Sequence, residues 1–160
     1  MSNIKFIDNP LSQSIIQIVK DFARCGEVRH TYNFWPHDII KDSNPILIKN
    51  LTEEIQSKLI EEIKHHLPEY TSISCMWYGY MRGSYIPWHD DGKSAFGATI
   101  YLNEFWDDDW GGYFAYKEDS IKCIKPEFNK MVIIKTPLRH TVFNTTSVAP
   151  IRETIQIFGS

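Results

Sequence analysis

The chain has 160 residues, 42% of them apolar and 14% aromatic, with a formal net charge of -3 at pH 7. That length supports one compact domain with its own core, and the apolar content excludes a disordered chain. No apolar run approaches the roughly 18 residues a membrane span needs, and no long basic run marks a nucleic-acid-binding face.

The first residues, Met1 to Pro10, lack the apolar region and cleavage site of a secretory signal, so a cytoplasmic protein is expected. Cys25, Cys75 and Cys123 are widely spaced and odd in number, which predicts reduced, buried thiols rather than a zinc or redox pair. Without repeats or linkers, residues 1–160 read as a single domain. Its character changes near residue 70, from helical support with a candidate flap (1–70) to a β core (71–160).

In chain order, Asn9-Pro10 reads as an N-cap followed by proline in the first helical turn. Ile15, Ile16, Ile18, Val19, Phe22 and Ala23 then form an apolar stripe that ends near Gly26. Arg29 to Asn44 is rich in aromatic and turn-forming residues without a clean period, and reads as a loop or short strand that is the candidate flap. A second helix is predicted from about Thr52 to His66, with Leu51, Ile55, Leu59, Ile63 and Leu67 recurring every four residues. Glu53 and Glu54 in its first turn suit the helix dipole.

From Thr71 onward, short candidate strands cover about 72–80, 84–88, 97–103, 112–117, 120–124, 131–136, 140–145 and 152–158. A mainly β jelly roll or related double-sheet barrel is expected, with the N-terminal helices packed on the outer face of one sheet. In the last run Arg152, Thr154 and Gln156 share one face and Glu153, Ile155 and Ile157 the other. Likewise Thr99, Tyr101 and Asn103 oppose Ile100 and Leu102. The isoleucines and Leu102 should pack outward against the helices, leaving a polar barrel interior.

His89 and Asp91 lie two residues apart in Tyr85-Ile-Pro-Trp-His-Asp-Asp91, so extended backbone projects both from one face and turns Asp90 away. His140 begins a later strand that a barrel can bring alongside. Two imidazoles and a carboxylate match the facial triad of non-haem iron(II) oxygenases. Three protein ligands on octahedral iron leave three positions, enough for a bidentate 2-oxo acid and dioxygen, whereas a structural zinc wants a fourth. Twelve residues beyond His140, Arg152 offers a planar fork suited to a carboxylate. Lys135 and Arg139 are its rivals as anchors, the former expected at a strand end and the latter pointing away from His140. His30, His37, His65 and His66 have no partner spacing and read as surface or capping residues.

These residues resemble the iron(II)- and 2-oxoglutarate-dependent dioxygenases, and within them the prolyl-hydroxylase-like branch, over roughly residues 71–158. The resemblance rests on ordered motifs: Tyr80-Met-Arg-Gly83; His89-Asp-Asp91; Ile100-Tyr-Leu-Asn103; Trp106 to Trp110 leading into Gly111-Gly112; Pro126-Glu-Phe-Asn129; then His140 and Arg152. It implies a double-stranded β-helix in which His89, Asp91 and His140 bind iron(II) and Arg152 pairs with the distal carboxylate of 2-oxoglutarate. It also implies a hydrogen bond to that carboxylate from Tyr101, and a cofactor contact from Tyr80, with Tyr78 close enough to leave the register open. Thr154 offers a further hydroxyl. The implied reaction consumes 2-oxoglutarate and dioxygen, gives succinate and carbon dioxide, and hydroxylates a C–H bond, with ascorbate as a candidate auxiliary reductant.

The chain departs from its relatives in ending soon after the last strand, where some carry a C-terminal helix or lid. It is also charged across Lys135-Thr-Pro-Leu-Arg-His140. Trp77, Tyr78, Tyr85, Trp88, Trp106 and Trp110 are expected around the barrel mouth or in the core. Trp106-Asp-Asp-Asp-Trp110 reads as an exposed loop, a solvated face or a selector for basic substrates, and Gly111-Gly112 as a turn. The resemblance favours a peptidyl proline as substrate. A free amino acid or other small molecule is the alternative within enzymes, and a non-catalytic jelly-roll ligand-binding module the alternative outside them. No nucleic-acid or membrane partner is expected.

Overall fold

The structure, a computed structural model, describes residues 3–31 and 42–160. Most of the 29–44 segment, with His37 and the candidate flap, lies outside these residues. Two antiparallel sheets face each other. The larger contains β1 (Ile4–Asp8), β2 (Arg29–His30), β3 (Ile46–Asn50), β4 (Ile73–Tyr80), β6 (Phe96–Tyr101), β9 (Lys130–Lys135) and β11 (Arg152–Gly159), in the order β1-β9-β6-β11-β4-β3-β2. The smaller contains β5 (Ile86–His89), β7 (Phe114–Lys117), β8 (Ile121–Ile124) and β10 (His140–Val142), in the order β5-β10-β7-β8. Strand β1 was not expected from the sequence, and neither was β3. In β1 only Ile4 is buried, so the strand shows no alternation, and it is held by its pairing along β9.

Helix α1 (Gln13–Arg24) buries Ile15, Ile16, Val19 and Ala23, the inner part of the anticipated stripe. Its start differs from the Asn9-Pro10 expectation. Ser12 is the N-cap and accepts from Ile15 N, while its hydroxyl donates to Glu62 Oε1 at 2.6 Å and so ties α1 to the second helix. Asn9 instead takes a left-handed φ of 52° and donates its N–H to the Asn129 carbonyl at 2.8 Å. Helix α2 (Glu53–Ile63) begins at the Thr52 cap, as expected, and buries Leu59 and Ile63.

The parity of β11 and β6 orders the whole cross-section. Ile100, Leu102, Ile155 and Ile157 pack outward with Ile15, Val19, Leu59 and Ile63 in one apolar core between helices and large sheet. Each such side chain contributes about 1.5–3 kcal/mol by leaving water. A second core fills the space between the sheets, joining Tyr78, Tyr80, Tyr101 and Val132 to Ile86, Phe114 and Val142. Trp77 belongs to the outer core and does not reach the barrel interior.

Cys75 is buried, and burial pushes its thiol up to about 12, but Cys25 and Cys123 are exposed, contrary to the expectation of three buried thiols. Each interrupts no apolar stripe, so nothing forces it inside. No helix among the described residues is long and apolar enough to cross a membrane.

Candidate active site

Strand β10 runs antiparallel to β5 with His140 directly opposite His89, which brings two imidazoles from distant parts of the chain to a centroid separation of 4.3 Å. Asp91, just past the end of β5, completes the group. Its Oδ1 lies 4.0 Å from His89 Nε2 and 3.5 Å from His140 Nε2. One ligand atom from each residue falls within 4.8 Å of the others, close enough for a single ion. Asp90 is exposed, turned away from the pair as strand parity anticipated, and its carboxylate accepts from Gly92 N.

Both imidazoles are held by their other nitrogen. His89 Nδ1 lies 2.7 Å from the Pro87 carbonyl, and His140 Nδ1 lies 2.9 Å from the Leu138 carbonyl. A carbonyl can only accept, so each Nδ1 carries the proton and each Nε2 lone pair faces the shared centre. Burial, reinforced by the neighbouring His140, lowers the pKa of His89 and favours the neutral, ligating form.

A narrow cavity, of about 40 Å³, opens beside this group. Apolar residues Ile86, Phe114, Val132, Ile134 and Val142 form much of its wall. Arg152 closes one end, only 1% exposed, and among the described residues none of its three guanidinium nitrogens makes a hydrogen bond, its neighbours being the rings and hydroxyls of Tyr80 and Tyr101. The guanidinium carbon sits 4.5 Å from the Tyr80 ring centre and 5.1 Å from that of Tyr101. The buried Tyr101 hydroxyl faces Arg152 and meets no other hydrogen-bond partner among the described residues. Burial, opposed by Arg152, pushes the Tyr101 pKa up to about 12, so its hydroxyl remains a donor. A buried cation beside an orphaned donor is costly unless an anion occupies the space between them. The residues therefore fit a 2-oxo acid with a distal carboxylate, and the triad fits a divalent ion at the other end of the same cavity.

A sequence model of the 2OG-Fe(II) oxygenase superfamily matches residues 74–158, just over half of the chain. The chain belongs to that superfamily. It is thus a 2-oxoglutarate-dependent dioxygenase, of a family that uses iron(II), 2-oxoglutarate and dioxygen. Among solved structures, the oxygenase is similar to a prolyl-4-hydroxylase from Pseudomonas putida, with a TM-score of 0.76 at 15% identity, over 98% of this chain and 92% of that one. It is also similar to a Trichoplax adhaerens prolyl hydroxylase in complex with a hypoxia inducible factor oxygen degradation domain peptide fragment, with a TM-score of 0.77 at 19% identity, over 98% of this chain and 83% of that one. HygX from Streptomyces hygroscopicus, with nickel, 2-oxoglutarate and hygromycin B bound, gives a TM-score of 0.70 at 7% identity over 99% and 83%. These likenesses establish the double-stranded β-helix. No curated protein matches the oxygenase significantly in sequence.

The remaining anticipated residues fall as follows. Tyr78 and Tyr80 both line the cavity, but it is Tyr80 whose ring lies against Arg152. Thr154 is buried next to Arg152 and accepts from Gln156 Nε2 at 3.0 Å, while Gln156 Oε1 accepts from Thr99 at 2.8 Å. This polar ladder rigidifies the inner face of β11. Lys135 and Arg139, the rival anchors, are exposed and lie outside the cavity. The aromatic residues do not gather at one mouth. Trp106 is 3% exposed, donates to the Gly111 carbonyl, and approaches Gly112 beside the Arg152 stem.

Two glycines were not legible as site residues. Gly112, at φ 65°, is bounded by the Arg152 stem, Thr145 and Trp106, at 3.0, 3.0 and 3.3 Å from where a Cβ would stand. It lets these groups close the Arg152 end. Gly97 on β6 leaves room for the Asp91 carboxylate, which a Cβ there would strike. Replacing Gly97 by alanine is expected to weaken iron(II) affinity about ten- to hundredfold while the protein stays folded. Anaerobic metal titration checks this, and parental affinity would show that Asp91 has other space to use.

Proposed function

We propose that this oxygenase hydroxylates an unactivated C–H bond, that of a prolyl residue in a peptide or protein. In this reading residues 1–160 act as one catalytic domain. The overall exchange is balanced: the C–H compound, 2-oxoglutarate and dioxygen give the hydroxylated product, succinate and carbon dioxide. Bound iron(II) with its co-substrates supplies the oxidising chemistry.

The chain's own groups supply the placement. His89, His140 and Asp91 hold iron(II) on one face. Arg152 and the protonated Tyr101 receive the distal carboxylate of 2-oxoglutarate, with Tyr80 walling that pocket and Thr154 fixing Gln156 beside it. Ile86, Phe114, Val132 and Val142 exclude water. The observation that carries the reading is the buried guanidinium, without a hydrogen bond among the described residues, at the end of the cavity that begins at the triad.

The prolyl substrate is supported by the prolyl hydroxylases among the structural neighbours. A small-molecule substrate is the second reading, supported by the hygromycin B bound in a neighbour of the same fold. Anaerobic addition of iron(II) and 2-oxoglutarate should produce a visible metal-to-ligand charge-transfer band. Oxygen should then yield succinate, with a one-oxygen mass gain on proline in a peptide mixture. A band with no peptide oxidation, together with oxidation of a free amino acid, would transfer the assignment to the second reading. Absence of both band and succinate would remove it entirely.

A further inference from the structure

Between its anchor end and its metal end, the cavity is floored by a pair of neutral polar side chains from the large sheet. Register places them. Strand β6 meets β11 with Tyr101 opposite Thr154, Thr99 opposite Gln156 and Gly97 opposite Phe158. Tyr101 stands with Arg152 at the anchor end, and the Asp91 carboxylate occupies the space over Gly97. Thr99 and Gln156 hold the rung between, and both line the cavity. A molecule reaching from Arg152 to the triad must cross them.

The Gln156 carboxamide is held from two sides. Thr99 Oγ1 donates to its Oε1 at 2.8 Å, and its Nε2 donates to Thr154 Oγ1 at 3.0 Å. A carboxamide carries two N–H bonds beside its carbonyl. The two threonines engage the carbonyl and only one N–H, and the side chain makes no further hydrogen bond among the described residues. One donor is left over, on a residue 9% exposed. Thr154, which takes the first N–H, is buried and does not line the cavity, so the second N–H, splayed from the first in the amide plane, is the one turned toward it. The surrounding walls of Ile86, Val132, Ile134 and Val142 supply no acceptor. A buried donor in such a place is destabilising until a ligand brings one.

We infer that Gln156 is a further binding residue for the 2-oxo acid. Its free N–H donates to an oxygen of the 2-oxo carboxylate end, the end away from Arg152, and Thr99 is the positioning residue that keeps the carboxamide turned for that contact. The inference rests on the co-substrate site assigned above and adds a contact at its other end. An anionic acceptor makes this hydrogen bond one of the stronger, charge-assisted kind. A neutral donor also suits the empty site, where a second buried cation beside Arg152 would carry a far larger desolvation cost.

The test compares 2-oxoglutarate with succinate, which shares the distal carboxylate and lacks the 2-oxo carboxylate end. The full chain is loaded with iron(II) without oxygen, affinities are measured by calorimetry, and the charge-transfer band is recorded. Gln156→Met keeps the volume and removes the donor. It should weaken 2-oxoglutarate about tenfold or more, leave succinate within about twofold, and move the band to shorter wavelength, because losing a donor raises the energy of the acceptor orbital. Thr99→Val should act in the same direction by about threefold, while Thr99→Ser, which keeps the hydroxyl, should match the parent. Iron(II) affinity should be parental throughout. Parental 2-oxoglutarate affinity and band in Gln156→Met overturn the inference, as does equal weakening of both ligands. If Gln156→Met does not fold, Thr99→Val decides on the same readouts. Either failure leaves Arg152 standing as the anchor, whereas a parent that binds no 2-oxoglutarate removes the inference and the site assignment together.

Discussion

Replacing Arg152 by methionine is expected to raise the 2-oxoglutarate concentration needed for turnover by about thirtyfold to more than a thousandfold, the cost of truncating one partner of a buried charge pair. Iron(II) affinity should change little, because the triad sits at the other end of the cavity. The same substitution should make the protein more stable when 2-oxoglutarate is absent. A guanidinium that is 1% exposed and makes no hydrogen bond among the described residues is a desolvated charge, relieved only in part by the rings of Tyr80 and Tyr101, and an apolar chain of similar volume removes that penalty. Thermal melting with and without 2-oxoglutarate checks both halves. The parent should gain stability with ligand; the variant should start higher and gain nothing. A variant that starts lower, or that still responds to 2-oxoglutarate as the parent does, would count against Arg152 as the anchor.

Asp91→Ala is expected to lower iron(II) affinity by more than about a hundredfold, beyond the effect of disturbing a residue that merely supports a ligand. Succinate formation should be lost with it. Asp90→Ala should retain the parental affinity, since that carboxylate is exposed and turned toward Gly92. Anaerobic titration followed by the charge-transfer band separates the two variants. Loss of iron in Asp90→Ala with retention in Asp91→Ala would reverse the register argued for this segment.

Much of this site was legible because strand parity acts over two residues. The alternation that put Arg152 and Thr154 on one face and Ile155 and Ile157 on the other follows from extended backbone alone, and the outer face needed only helices with apolar stripes to receive it. The pairing of His140 with His89 was not legible, since register between strands fifty residues apart depends on the turns and sheets around them. For the same reason the roles of Gly97 and Gly112 were hidden: each is defined by a side chain from another strand, Asp91 in one case and Arg152 in the other. Strand β1 was missed because its pairing with β9, rather than its own alternation, makes it a strand. The start of α1 was misplaced because Asn9 and Ser12 are both good caps by composition. A tertiary contact decided between them, the carbonyl of Asn129 capturing the Asn9 N–H. In the Trp106 to Trp110 loop Asp108 and Asp109 are exposed, as read from the sequence, but the burial of Trp106 against Gly112 was hidden because it too is set by a distant contact.

That indole, with the Arg152 stem and Gly112, packs tightly behind the guanidinium, so among the described residues the cavity has its ligand anchor at a closely packed end and its reactive centre along its length. A 2-oxo acid whose distal carboxylate reached Arg152 would thus lie along the cavity, beneath whatever binds over the triad.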